Sequence, residues 1–402
     1  MLVFDLQQGQ QATRQQAGGG HYDLSLVMAA TALAALGVVM VASSSIAISE
    51  GQHLGPFHYL DRHLVFLALG IVLAVAAART ELSFLERHAG LLLLGGIALL
   101  LLVFVPGIGV RINGARRWIS LGVVGFQSVE VVKPVLVIYL ASYLVRHRDS
   151  VCARISGVMK PLGITVLLVG LLLVQPDFGS AALLLAITVG MLWFGGARIS
   201  NLAVFGVLGV PLLGWVAFSQ DYRVKRLTSF LDPWADPFND GFQLTQALIA
   251  VGRGEWFGVG LGASVQKLYY LPEANTDFIL AVIAEELGFA GIVLVLALFA
   301  WLCGRGFVLA LRAVQRGQRF NGCCAFGLSL MIAVQALVSI GVNLGVLPTK
   351  GLTLPLISSG GSSVLMTCVA IGLLARVGFE IERAAAAEHE RVADRTAVEV
   401  GR

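Results

Sequence analysis

The sequence predicts an all-α, polytopic membrane protein with about ten transmembrane helices and one large outer loop between the seventh and eighth spans. Three observations predict it. Hydrophobic side chains make up 57% of the 402 residues and charged ones only 13%, and the mean hydropathy is +0.83, outside the range of water-soluble domains. Apolar runs lie near 24–46, 64–78, 89–105, 124–145, 162–174, 178–195, 202–219, 277–302, 323–347 and 361–379. Most are long enough to cross a hydrocarbon core about 30 Å thick at about 1.5 Å per helical residue. Between the seventh and eighth runs, residues 220–276 turn polar and rich in Trp, Pro, Asp and Gly; a loop that long in a compact membrane protein is usually functional.

Taken in order, the first span has no cleavage pattern before it and reads as a retained anchor. Residues 1–22 read as a disordered cytoplasmic tail, 23–379 as the ten-span domain with its loop 220–276, and 380–402 as a cytoplasmic C-terminal tail. Placing the N-terminus inside puts Arg79, Arg146, Arg198, Arg305, Arg316 and Arg376 at the cytoplasmic face, in short loops that retain positive charge. The fifth run, 162–174, is short and stops at Gln175-Pro176-Asp177. The outer loop contains short amphipathic stretches, "GFQLTQALIAVG" (241–252) among them. Between the ninth and tenth spans, "LPTKGLTLPLISSGGSS" (347–363) holds two prolines and two adjacent glycines, so its backbone cannot be helical throughout. Such backbone is tolerated at membrane depth where protein buries it or where it lines a cavity, which makes it a candidate groove wall. Cys152, Cys303, Cys323, Cys324 and Cys368 fall in cytoplasmic or intramembrane positions, so no disulfide is expected, and their spacings suit no metal site. No nucleic-acid partner is expected; the surrounding lipid is the constant partner.

The candidate chemistry gathers on the outer face. Arg111, Arg116, Arg117, Arg223, Lys225, Arg226, Arg253, Lys267 and Lys350 break the rule that outer loops are poor in positive charge. They read either as a rim meeting lipid head groups or as a basin for a phosphate-bearing, lipid-linked ligand. Glu130 and Lys133 lie three residues apart on one face of the fourth span, where buried charges pair; the pair either fixes helix packing or lines a site. Asp277 opens the eighth span and has two readings as well: a helix cap, or a carboxylate that accepts a proton from a hydroxyl nucleophile while nearby cations stabilise a departing phosphate. Glu285 and Glu286 sit about 12 Å deeper, offset from Asp277 by about 80° and about 180°, and read as hydrogen-bonded supports within the bundle.

"RWISLGVVGFQSVEVVK" (117–133), "QPDFGS" (175–180), "DPWADPFNDGFQLTQALIAVGRGEWFGVGLGASVQKLYYLPEANTDFILAVIAEELGFAG" (232–291) and "LPTKGLTLPLISSGGSS" resemble, in this order, the SEDS family. The segments "VQKL" and "PTKGLTLPL" are more similar to its cell-division branch than to its elongation branch. The resemblance implies a peptidoglycan glycosyltransferase that polymerises lipid II on the outer side of the bacterial inner membrane, enriched at the division septum. It implies an FtsI-type class B penicillin-binding transpeptidase as partner, with FtsQ-, FtsL- and FtsB-type membrane proteins. By position it assigns the essential aspartate to Asp277 and a glutamate–lysine pair to Glu130 and Lys133. Arg117, Arg253, Lys267 and Lys350 are the cations expected at the leaving pyrophosphate, and Gln127, Asn275, Thr276, Glu285 and Glu286 the supporting residues. No cofactor is required, and a divalent cation is compatible. Three positions depart from the family pattern: Asn275 where His is usual, Ser128 where Pro is usual, and Ser359 where Tyr is usual. Asn275 leaves no imidazole at that position beside the aspartate. Two other classes stand against the enzyme: a lipid II flippase using Glu130, Lys133, Glu285 and Glu286 as a polar path, and a non-catalytic scaffold of the division machinery.

Overall fold

The computed structural model describes residues 20–400 except 52, 113, 114, 121–124, 219 and 220. The expected tail therefore lies outside the described residues up to position 19, as do the side chains of Arg223 and Arg226. Eight helices are long and apolar enough to cross a membrane: α1 (Leu24–Gly51), α2 (His58–Arg79), α3 (Leu82–Leu102), α4 (Ser128–Arg146), α6 (Ile155–Val174), α11 (Ile279–Gln315), α12 (Arg319–Asn343) and α13 (Gly361–Val400). The shorter apolar α7 (Phe178–Phe194) and the apolar α8 (Ile199–Phe218) bring the described total to the expected ten. Between them lie the short α5 (Arg148–Ala153) and, in the long loop, α9 (Asp221–Leu231) and α10 (Phe242–Gly254). The amphipathic stretch 241–252 becomes α10, whose Leu244, Ala247 and Ala250 are buried.

Three local features differ from the expectation. The fifth span is 20 residues rather than a short run, because α6 starts at Ile155 and carries Pro161 in its second turn; the proline interrupts the apolar pattern and one backbone bond, not the helix. A small antiparallel sheet, β1 (Gly109–Ile112), β2 (Ala115–Ser120) and β3 (Gly125–Gln127), stands before α4, an addition to an otherwise all-α fold. It pairs Arg111 with Arg116 and Trp118 with Gln127. Its sequence signal is Asn113-Gly114 between two β-forming runs.

The third difference is in α11, which is two helices meeting at Gly288, where φ is 68° and ψ −162°. A break inside a membrane helix leaves donors and acceptors that must find partners. Here residues 255–260 supply them: Val259 and Gly260 donate to the carbonyls of Glu285 and Glu286, and Phe289 and Ala290 donate to those of Glu255 and Trp256. The long loop thus folds back onto the broken helix. Around this, α4 is buried along almost its whole length, α2 runs along α13, and α11 packs on α12. Close approaches use small residues: Gly372 meets the backbone of Ala74 where α13 crosses α2, and Gly37 of α1 meets the backbone of Leu356 and Ile357 in the non-helical segment.

The start of α1 meets α11 and the middle of α13 at one end of the bundle. Asp23 accepts from Leu26 as a helix cap and pairs with Arg305 at 2.8 Å, and Tyr22, within the segment expected to be a tail, stacks on Phe379 at 5.1 Å.

Candidate active site

At the opposite, loop-bearing end, α11 begins at Phe278, whose side chain makes no capping bond. Asp277 stands one residue before that cap position, half-buried. Asn343 at the end of α12 organises the helix start. Its Oδ1 accepts from the Ala281 amide at 3.1 Å and its Nδ2 donates to the Asp277 carbonyl at 2.8 Å. Thr276 donates to Glu273 Oε2 at 2.6 Å, and Glu273 takes a φ of 59°, so "PEANTD" is a tight turn held by its own side chains. Asn275 is buried within it.

The non-helical segment 347–360 lies directly on this turn. Ser359 donates its amide to the Asn275 carbonyl at 3.0 Å, and Ser358 Oγ donates to the Thr276 carbonyl at 2.6 Å while accepting from the Leu354 amide at 2.9 Å. Gly351 faces the aspartate so closely that a Cβ there would come within 3.2 Å of Asp277 Oδ2. Lys350, its neighbour, places Nζ over the Phe178 ring at 4.2 Å, a cation–π contact.

Behind the turn sits the Glu130–Lys133 pair. Both are buried, and Lys133 Nζ donates to Glu130 Oε1 at 2.7 Å and to Gln335 Oε1 at 2.8 Å. Gln335 Nε2 continues to the Thr353 carbonyl at 3.0 Å and Ser363 Oγ at 3.3 Å. Gln127, at the N-cap of α4, donates its amide to Ser362 Oγ at 3.0 Å. Fourth, ninth and tenth spans thereby converge on the 347–363 segment.

Glu285 and Glu286 are wholly buried and serve two different neighbours. Glu285 accepts from Arg253 at 3.2 Å, from Ser264 Oγ at 2.5 Å and from the amides of Val265 and Gln266. Glu286 accepts from Lys267 and from Ser43 of α1, each at 2.7 Å, and Lys267 also donates to Ser43 at 2.9 Å. Two adjacent carboxylates therefore pin the stretch 264–267 of the long loop.

The expected cations consequently occupy different settings. Lys133 and Lys267 are enclosed and face carboxylates; Arg117 is half-buried and donates to the carbonyls of Gln175 and Pro176. Lys350 keeps part of its surface, and the Arg253 side chain is 45% exposed. Arg111 and Arg116, opposite one another on the hairpin, are exposed; like charges so placed repel, which favours a shared anion. Among the described residues no group of three or more His, Cys, Asp or Glu converges to hold a metal ion, and all five cysteines are free thiols. Sequence reasoning missed Gln335, Asn343, Ser43 and Gly351. Three of these carry a readable signal, an uncharged polar side chain inside an apolar span.

A family model for cell cycle proteins, named for FtsW, RodA and SpoVE, matches residues 23–382. The chain belongs to this family, the SEDS proteins. A protein of Xanthomonas oryzae pv. oryzae named "Probable peptidoglycan glycosyltransferase FtsW" is 58% identical over 93% of this chain and 76% of its own length. A protein of the same name from Nitrosococcus halophilus is 50% identical over 92% and 96%. Two solved SEDS-type structures superpose on most of the fold. A chain of a peptidoglycan synthase complex that coordinates polymerization and crosslinking has a TM-score of 0.74 at 33% identity, over 90% of this chain and 98% of that one. The rod shape determining protein RodA of Thermus thermophilus has a TM-score of 0.65 at 29% identity, over 89% and 96%.

Proposed function

We propose that this SEDS protein is a peptidoglycan glycosyltransferase that polymerises lipid II at the loop-bearing face of the inner membrane, with Asp277 as the general base. The reaction is an inverting transfer. The acceptor hydroxyl loses its proton to the Asp277 carboxylate, its oxygen bonds to the anomeric carbon of the donor sugar, and the bond from that carbon to the undecaprenyl pyrophosphate breaks. Arg117, Arg253 and Lys350, which keep surface at this end, balance the charge that develops on the leaving group. Lys133 and Lys267 contribute from behind, by holding the walls. The observation that carries the reading is the placement of Asp277: half-buried at the loop-bearing end, one residue before the cap position of its helix, with Gly351 packed against its carboxylate.

A class B penicillin-binding transpeptidase is the partner this reading requires, supported by the similarity to a chain of a peptidoglycan synthase complex. Septal enrichment and FtsQ-, FtsL- and FtsB-type neighbours follow from the same reading. No cofactor is required in this reading and a divalent cation at the pyrophosphate is compatible with it; turnover measured with and without a chelator decides whether one takes part. The decisive experiment is lipid II polymerisation by the purified chain with its transpeptidase, products sized on gels. Asp277→Asn is expected to abolish polymer while the protein remains folded and inserted. Polymer made at the wild-type rate by that variant would overturn the mechanism, and flipping of labelled lipid II in vesicles without polymerisation would replace it by transport.

A further inference from the structure

The bonds behind Asp277 form one uninterrupted line. Lys133 Nζ can only donate, so the Gln335 oxygen must face it and the Gln335 amide nitrogen must face away. That nitrogen donates to the Thr353 carbonyl at 3.0 Å. The same peptide unit carries the Leu354 amide, which donates to Ser358 Oγ at 2.9 Å. Ser358 then donates to the Thr276 carbonyl at 2.6 Å, and the peptide unit it reaches is the one that ends in Asp277. Every donor in the series points the same way, from the buried ammonium toward the aspartate. Hydrogen bonds aligned in this manner polarise and stiffen one another, more so away from water, and Lys133, Gln335 and Ser358 are all buried.

We propose that the aligned chain Lys133–Gln335–Thr353/Leu354–Ser358–Thr276 positions the Asp277 carboxylate for proton transfer, with Gln335 and Ser358 as positioning residues. The inference rests on Asp277 being the base. Gln335 is the only link that joins the ion pair of α4 to the 347–360 segment in this series, and Ser358 the only one that joins that segment to the aspartate's own peptide unit. Neither touches the reacting atoms. Both decide where the carboxylate stands, and a misplacement on the order of 1 Å costs roughly a hundredfold in rate.

The test is steady-state polymerisation by the full-length chain with its transpeptidase, for Gln335→Leu, Ser358→Ala, Ser358→Thr, the double variant Gln335→Leu/Ser358→Ala and Asp277→Asn. Gln335→Leu and Ser358→Ala are each expected to lower kcat about tenfold to a hundredfold while KM for lipid II stays near wild type. Ser358→Thr keeps the hydroxyl and is expected to recover most of the rate. The double variant is expected to be no slower than the slower single one, because either break interrupts the same chain; independent structural defects would multiply instead. Wild-type kcat in both single variants, losses that multiply, or a rise in KM alone would each overturn the proposal. If Gln335→Leu does not fold, the Ser358 pair decides by itself, since alanine removes only a hydroxyl. Loss of polymer in Asp277→Asn together with full activity in the Ser358 variants defeats the chain alone; activity retained by Asp277→Asn defeats the proposed function.

Discussion

At the scale of single residues, carboxylates of one type do three different things within ten positions. Asp277 stands half-buried at a turn against Gly351, Glu285 satisfies backbone amides, and Glu286 neutralises a lysine. The last two are buried without access to water, where an ion left unpaired is far more costly than a pair is beneficial. Lys267→Met is therefore expected to destabilise the protein by about 3–5 kcal/mol, read as a lowered thermal midpoint in detergent, and Lys267→Met/Glu286→Met to recover part of that loss. Arg253 differs in setting: its side chain is 45% exposed and Glu285 keeps three other donors. Arg253→Gln should cost at most about 1 kcal/mol in stability while slowing polymerisation, and a comparison of unfolding with turnover checks it. Gly351 is a third kind of position. A methyl group there would meet Asp277 Oδ2 at 3.2 Å, so Gly351→Ala is expected to displace the carboxylate and reduce kcat about tenfold or more with the thermal midpoint unchanged.

At the scale of elements, the broken helix α11 decides where the loop goes. The break costs backbone hydrogen bonds that only another backbone strand can replace inside a membrane, and residues 255–260 replace them in four matched pairs. Gly288 makes this approach feasible. Its φ of 68° is open to glycine, and a Cβ would stand 2.4 Å from the Gly258 nitrogen. Gly288→Ala is accordingly expected to destabilise by at least about 1–3 kcal/mol and to release segment 255–260, which limited proteolysis of the long loop would detect as new cleavage near Trp256. The 347–360 segment follows the same rule from the other side. Its irregular backbone is buried against the Asn275–Asp277 turn and held by Ser358, Ser359 and Gln335.

At the scale of the whole molecule, the ends of the bundle have distinct roles. One gathers the start of α1 and the 376–381 stretch of α13 with Arg305, Arg316 and Arg376; the other holds the long loop, the sheet and Asp277. Basic residues are retained on the cytoplasmic side, so the loop-bearing end is expected at the outer face. Cysteine introduced at Phe238 in a cysteine-free background is expected to react with a membrane-impermeant maleimide in spheroplasts, and cysteine introduced at Arg383 only after lysis. The reverse pattern would invert the orientation and remove the proposed access of Asp277 to outer-leaflet substrate.

What the sequence determined by itself follows from the solvent. In a bilayer, backbone must be satisfied within helices, so apolar length marked most of the spans, and the polar interruptions at 220–276 and 347–363 marked the segments with other work to do. It also singled out Asp277, Glu130, Lys133, Glu285 and Glu286, because charge in so apolar a chain stands out. Tertiary structure decided what those charges face. Local spacing tells which residues share a helical face, whereas Lys267 on Glu286 and Ser43, Gln335 between Lys133 and Thr353, and Gly351 against Asp277 join positions 18 to 224 residues apart. Such pairings are set by the packing of whole helices and re-entrant loops, and no window along the chain contains them.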